Sequence, residues 1–184
     1  WLLAHDAVAL DEESLLAFAS LVARRAGGEP VAYLVGYREF FGRRFAVNPA
    51  TLIPRPDTEL LVELVKAKVG AGATATILDL GTGSGCIAIS LALELPAARL
   101  TGVDCSAAAL EVARANAQAL AATVRLQQSD WFAVLETERF DVIVGNPPYV
   151  ASADAHLGLG DLRHEPPTAL ASGDDGLDAI RHIV

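Results

Sequence analysis

A chain of 184 residues, 52% of them apolar, can bury one substantial core and a small appendage. Its formal net charge of −9 works against a broad nucleic-acid-binding face and leaves only a local basic group at Arg38, Arg43, Arg44 and Arg55. No apolar run reaches the ~18 to 20 residues that span a bilayer, no signal segment opens the chain, and two cysteines without a C-x-x-C pair argue against a disulfide framework or a zinc site.

The first clear element is a helix over residues 11–26. Asp11 caps it, Glu12 and Glu13 suit the positive end of its dipole, Arg24 and Arg25 suit the other end, and Gly27-Gly28 stops it. Leu15, Leu16, Phe18, Ala19, Leu21 and Val22 give it an apolar face in search of partners. Residues 30–56 then change character. Pro30, Gly36, Gly42, Pro49, Pro54 and Pro56 punctuate short aromatic and β-branched runs at 37–41 and 44–47, which predicts a hairpin and a stiff linker. Asp57 or Thr58 caps a following helix to about Lys68, with Leu60, Leu61, Leu64 and Val65 inward.

From residue 74 strand and helix alternate: strand 76–80, helix 84–95, strand 99–103, helix 106–120 capped by Ser106, strand 124–128 and strand 140–145. Repeated crossovers of this kind imply an α/β fold, a parallel sheet with helices on both faces. Residues 151–175 are polar and rich in Gly, Asp and Pro, a loop, and 176–184 begins another helix. Beginning at Trp1, lacking Met and stopping at Val184 inside an apolar stretch, the chain reads as a piece of a longer protein. Cys86 and Cys105 read as small, buried, inert thiols; His5, His156, His164 and His182 lack ligand spacing, and no metal role is assigned. A reduced, cytoplasmic setting fits.

The strand ends carry the chemistry. Gly81, Thr82, Gly83, Ser84 and Gly85 join the first strand to its helix. There glycines let the backbone turn and approach a ligand, and the helix start offers free N–H groups. Asp104, about twenty residues on, suits two ribose hydroxyls. Asp130 and Trp131 can frame an adenine. Asn146-Pro147-Pro148-Tyr149 ends the last strand, because two prolines forbid the ladder from continuing. The Asn146 side-chain oxygen and the Pro147 carbonyl can accept both N–H bonds of a flat NH₂ group, and Tyr149 can stack on its plane. Each motif alone has a plainer explanation: a tight strand–helix turn, and a proline-terminated strand leading into a loop. Their arrival at successive strand ends, which line one crevice in an open α/β sheet, favours a ligand site.

These residues together resemble class I S-adenosylmethionine-dependent methyltransferases. More narrowly, Glu29-Pro30-Val31-Ala32-Tyr33-Leu34, Arg38-Glu39-Phe40, Leu52-Ile53-Pro54-Arg55-Pro56-Asp57-Thr58-Glu59 and Gly160-Asp161-Leu162-Arg163-His164-Glu165-Pro166 resemble the HemK/PrmC family, protein-(glutamine-N5) methyltransferases of peptide-chain release factors. The resemblance implies a Rossmann-like methyltransferase sheet lacking its C-terminal strands. It divides the chain into a partial N-terminal helical, substrate-recognition domain over 1–29, a β-hairpin linker over 30–56 and a truncated methyltransferase domain over 57–184. It implies S-adenosyl-L-methionine as cofactor and S-adenosyl-L-homocysteine as product. Gly81, Thr82, Gly83, Ser84, Gly85, Asp104, Asp130, Trp131 and Asn146 are its expected donor contacts. Asn146, Pro147, Pro148 and Tyr149 are expected around the glutamine of a release factor's Gly-Gly-Gln loop, in a channel lined in part by the loop around Leu52 and Arg55. A monomer acting on a protein partner, without nucleic acid or membrane, is expected. A ribosomal-protein glutamine methyltransferase, a nucleic-acid adenine-N6 or guanine-N2 methyltransferase, an NAD-dependent oxidoreductase and a donor-binding scaffold without catalysis are the alternatives.

Overall fold

The computed structural model describes residues 11–184; Trp1, His5 and the beginning of the expected 1–29 domain lie outside the described residues. Helix α1 (Glu12–Ala26) starts where Asp11 accepts a hydrogen bond from the Ser14 amide at 2.7 Å, and acidic and basic residues occupy its first and last turns. Among the described residues nothing covers its apolar face: Leu15, Leu16, Phe18 and Val22 are all exposed. A short helix not anticipated from the sequence, α2 (Val31–Val35), follows Pro30 and closes at Gly36, whose φ of 80° needs no Cβ penalty.

Strands β1 (Tyr37–Phe40) and β2 (Arg43–Ala46) pair antiparallel. The two loop residues, Phe41 and Gly42, both have positive φ (51° and 69°), the signature of a type I′ turn that matches the twist of the flanking strands. Phe40 and Phe45 meet edge to face with centroids 6.1 Å apart and lie in the main core. Helix α3 (Glu59–Val69) follows a 3₁₀ turn at Pro56–Thr58. Its buried residues are Val62 and Val65; Leu60 and Leu64, expected inward, are exposed. The face is chosen by what it meets, the hairpin and the next helix, and not by its most apolar stripe.

Strands β3 (Thr76–Leu80), β4 (Arg99–Asp104), β5 (Arg125–Gln128) and β6 (Val142–Gly145) form one parallel sheet in the order β5-β4-β3-β6. Crossover helices α4 (Cys86–Glu94) and α5 (Ala107–Ala119) connect the first three; Ser106 caps α5 by accepting from the Ala109 amide. The chain moves outward from β3 to β5 and then returns to β3's other side, so the strand order reverses beside β3. A crevice opens at the carboxyl ends where order reverses.

Alternation along β3 sends Ile77 to one face and Leu78 and Leu80 to the other. Ile77 and Leu100 join the core with α3, α4 and the hairpin phenylalanines. Leu78, Leu80 and Val103 are covered differently from the expectation of helices on both faces. The β5–β6 crossover holds no helix, and Trp131, Phe132, Leu135 and Phe140 pack there with Ile183 of the last helix, α6 (Asp178–Ile183).

Candidate functional site

A cavity of about 310 Å³ lies at the carboxyl ends of the sheet strands. Its floor is Gly81, Gly83, Asp104 and Ser129; Cys105, Asp130 and Trp131 form one side and Asn146, Pro147 and Pro148 the other. Ala50, Thr51 and Leu52 of the linker and Thr168, Ala169 and Ala171 of the late loop complete the walls. All four predicted strand ends therefore meet at one cavity. Thr82, Ser84, Gly85 and Tyr149 do not line it.

Those first three build the loop from behind. Thr82 is buried and donates its hydroxyl to Asp79 at 2.6 Å. Ser84 is buried, and its carbonyl accepts from Asn116 at 2.9 Å. Gly85 has φ 81°, and a Cβ there would sit 2.7 Å from the Ile89 side chain and 3.2 Å from Ala113, so glycine is required for packing as well as for the turn. Gly81 and Gly83 differ. Their φ values are 68° and 55°, and a Cβ on either would meet nothing closer than 4.0 Å. Bare backbone thus faces open space on the cavity side, a cradle that suits a ligand approaching the main chain.

Asp79 is fully buried on β3. One carboxylate oxygen accepts from Thr82 and from the Ala88 amide; the other has no partner among the described residues. Burial pushes its pKa up to about 7, against the lowering effect of those two bonds, with a smaller upward push from Asp104. Asp104 ends β4 with one oxygen accepting from the Gly83 amide and the other from the Ser106 amide, both at 2.9 Å. These bonds fix the carboxylate at the cavity edge while leaving a lone pair on each oxygen.

Trp131 adopts φ 46°, a left-handed conformation uncommon for a bulky residue. The Ser129 hydroxyl holds it there by donating to the Trp131 carbonyl at 2.8 Å and accepting from the Val134 amide. Strained backbone stabilised by a buried serine places the indole against the cavity. Cys105, expected to be buried, is exposed beside it. Partial desolvation and the Asp104 charge raise its pKa, and burial raises that of Cys86 to about 12, so both thiols stay protonated at neutral pH.

At the other wall, Gly145 lets β6 lie close on β3: a Cβ would sit 2.7 Å from the Leu80 carbonyl. Asn146 follows, half-buried, and its Nδ2 donates to the Thr58 hydroxyl at 3.3 Å. Among the described residues neither the Asn146 side-chain oxygen nor the Pro147 carbonyl has a hydrogen-bond partner. Tyr149 lies outside with 63% of its surface exposed.

Three side chains hold these walls in roles that the sequence does not announce: Glu165, Asn116 and Thr58. Glu165, buried in the late loop, accepts from the Ile53 amide at 2.9 Å and pairs with Arg55. Leu52 is thereby fixed between Ile53 and Thr51, whose carbonyl accepts from the buried Tyr33 hydroxyl at 2.6 Å. Burial and the nearby Glu165 charge raise the Tyr33 pKa, so its hydroxyl remains a donor. Asn116 ties α5 to both hairpin and glycine loop. The third is Thr58, read as a helix cap. Long-range partners of this kind leave no local signal; a glutamate just before Pro166 in a polar loop was the single hint. Two of the four residues of the local basic group are ion-paired, Arg43 with Glu94 and Arg55 with Glu165, and Arg44 stacks over Tyr37 at 4.7 Å.

Comparison with known proteins gives this cavity a family. A family model described as "Methyltransferase small domain" matches residues 55–172, and one described as "PrmC N-terminal domain" matches residues 1–36. A Bordetella pertussis protein named "Release factor glutamine methyltransferase" is 53% identical over 184 residues, covering 100% of this chain and 68% of the relative. A Burkholderia pseudomallei protein of the same name is 50% identical over 182 residues, covering 95% of this chain and 64% of the relative. The chain thus spans about two thirds of the length of the curated relatives it matches. Among solved structures, a T. thermophilus 16S rRNA methyltransferase in complex with AdoMet and guanosine is 27% identical with a TM-score of 0.53, covering 62% of this chain and 32% of that one. With a match through more than half its residues and relatives half identical along almost all of it, the chain belongs to the small-domain methyltransferase family, in the branch that carries the PrmC N-terminal domain.

Proposed function

We propose that the protein transfers a methyl group from S-adenosylmethionine to the side-chain amide nitrogen of the glutamine in the Gly-Gly-Gln loop of class I release factors. The observation that carries the reading is the pair of unpartnered acceptors, Asn146 Oδ1 and the Pro147 carbonyl, on a stiff ledge beside the glycine-floored cavity. The name borne by relatives half identical to this chain supports the choice of acceptor.

The open backbone at Gly81 and Gly83, the Asp104 carboxylate, Asp130 and the Trp131 indole form a donor set suited to a nucleoside with an amino-acid tail. When bound, the cofactor supplies an electrophilic methyl carbon on a sulfonium. The difficulty lies with the acceptor, whose nitrogen lone pair is delocalised into its carbonyl. Accepting both N–H bonds at Asn146 and Pro147 fixes the amide plane, so that the pair standing normal to it is aimed at the methyl group, and favours pyramidalisation at nitrogen. Positioning of this kind is worth about 7 to 11 kcal/mol in favourable cases, and fixed dipoles stabilise the charge that develops on nitrogen. With the cofactor held by Gly81, Gly83, Asp104, Asp130 and Trp131, a nitrogen–carbon bond would form as the carbon–sulfur bond broke, the electron pair would stay with sulfur as the leaving thioether, and the amide proton would pass from the Asn146–Pro147 ledge to water. Pro148 keeps the ledge extended, and Tyr149, exposed at its outer side, meets the incoming loop.

Residues 1–29 serve as part of a substrate-recognition domain, 30–56 as linker and 57–184 as the catalytic domain. The protein works as a cytoplasmic monomer; no helix among the described residues is long and apolar enough to cross a membrane. Incubating the protein with isotope-labelled donor and, separately, release factor, ribosomal protein, RNA or DNA, followed by mass spectrometry, tests the reading. One methyl on the loop glutamine is expected. Label on a nucleobase and none on protein overturns it.

A further inference from the structure

We infer that Thr58 is a positioning residue for the acceptor: its hydroxyl anchors the Asn146 side chain on the ledge that receives the NH₂ group. The inference rests on the ledge reading above and adds a residue to it.

Thr58 stands at the N-cap of α3, where a threonine hydroxyl ordinarily accepts from an amide of the first turn. Here it makes no such bond, and its backbone is already helical (φ −68°, ψ −20°). The hydroxyl instead receives Nδ2 of Asn146, 88 residues away, at 3.3 Å. A helical backbone leaves the hydroxyl no cap bond to make, and its contact is to one side chain of the ledge.

An asparagine amide has two nearly isosteric ends, and rotation by half a turn exchanges a donor for an acceptor. A hydroxyl can meet either end, as acceptor or as donor, so its part is to fix where the amide stands. Thr58 is 8% exposed. The 3₁₀ turn at Pro56–Thr58 fixes its backbone, the Thr58 amide donates to the Arg55 carbonyl at 3.0 Å, and Arg55 is itself held by Glu165. On its other side, the Glu59 carboxylate accepts from the Phe41 amide at 2.8 Å. The hydroxyl is thus a rigid reference point that anchors the Asn146 side chain at the edge of the cavity.

The test compares Thr58→Val, which removes the hydroxyl at nearly constant volume, with Thr58→Ser, which keeps it. Three quantities are read: turnover on release factor, donor affinity by calorimetry, and the Asn146 side-chain amide signal in ¹H–¹⁵N spectra without ligand, identified by its loss in Asn146→Ala. Thr58→Val is expected to lower kcat tenfold or more, leave donor affinity within twofold, and shift or broaden the Asn146 signal. Thr58→Ser is expected to restore rate and signal. If Thr58→Val fails to fold, Thr58→Ala replaces it in the same three measurements. Wild-type kcat with an unmoved Asn146 signal in the hydroxyl-free variant overturns the inference, as does equal loss in Thr58→Ser. A wild-type protein that leaves glutamine unmethylated refutes instead the functional reading beneath it.

Discussion

Asn116 and Ala46 hydrogen-bond each other in both directions: the Ala46 amide donates to Asn116 Oδ1 at 2.8 Å, and Asn116 Nδ2 donates back to the Ala46 carbonyl at 3.0 Å. The second Nδ2 proton goes to the Ser84 carbonyl, so one side chain, 2% exposed, satisfies three backbone groups from two other elements. Asn116→Ala should cost about 2 to 4 kcal/mol, because each stranded buried group costs roughly 1 to 3 and water recovers part of it. Asn116→Asp, which keeps an acceptor and loses both donors, should be no better. Urea unfolding measures this, and a loss below half a kilocalorie would mean the hairpin docks without it.

Asn146→Ala should abolish methyl transfer and leave donor binding largely intact, since the ledge carries the acceptor's contacts. Asp104→Ala should do the reverse first, weakening donor binding in calorimetry, because the carboxylate also orders the glycine loop through the Gly83 amide. Equal donor affinity in both variants and the wild type would remove Asp104 from the donor site.

Asp79 predicts an unusual pH dependence of stability. Its folded pKa of about 7 lies above the ordinary 3.8, so the folded state keeps a proton that the unfolded state has already lost. The stability this confers is complete below about pH 4 and disappears as pH rises through 7, a loss on the order of 3 to 4 kcal/mol. The carboxylates held low by partners, such as Glu94 by Lys66 and Arg43, respond only at more acid pH. Unfolding free energy should therefore decline between pH 5 and pH 8 in the wild type and stay flatter in Asp79→Asn. Parallel profiles for the two would show that Asp79 ionises normally.

Arg55→Leu should destabilise by about 2 to 3 kcal/mol, the lower part of the range for breaking a buried pair, because the Glu165 carboxylate stays buried while Arg55 is partly solvated. Adding Glu165→Gln should recover some of that loss, since an amide needs no counter-charge and still accepts from the Ile53 amide. Protease cleavage within residues 50–56 should quicken in the single variant. A double variant less stable than the single one would show that the carboxylate itself, and not its pairing, holds the linker.

Most of the frame was legible because it is local. The Ser106 cap, the Gly42 break in the hairpin, the glycine loop and the double proline each announce themselves within a few residues, and period-two and period-3.6 patterns separate strands from helices, although Phe41, expected at the end of the first run, belongs to the turn. What escaped depends on tertiary partners. Leu60 and Leu64 are as apolar as Val62 and Val65, and only the docked hairpin and the next helix decide which pair goes inside. Val31–Val35 is β-branched at both ends, yet Pro30 and Gly36 bracket it as a helix. Thr58 satisfies the cap pattern and spends its hydroxyl elsewhere. At the site, residue types foretold which strand ends converge, but not that Thr82, Ser84 and Gly85 face away from the cavity, nor that Tyr149 stands outside it.

The central place of β3 bears on how the chain is made. Thr76 at the base of that strand is bonded to Asp141, 65 residues downstream, and β6 pairs along the same edge. On the ribosome, β3 and β4 can join early, but β3's second edge waits for β6 through roughly 3 to 13 seconds of synthesis at about 5 to 20 residues per second. An unpaired edge of Ile77, Leu78 and Leu80 invites association with other nascent chains for that interval. The double proline that ends β6 marks the moment at which the gap closes, and polypeptides interrupted before it should aggregate where slightly longer ones remain dispersed.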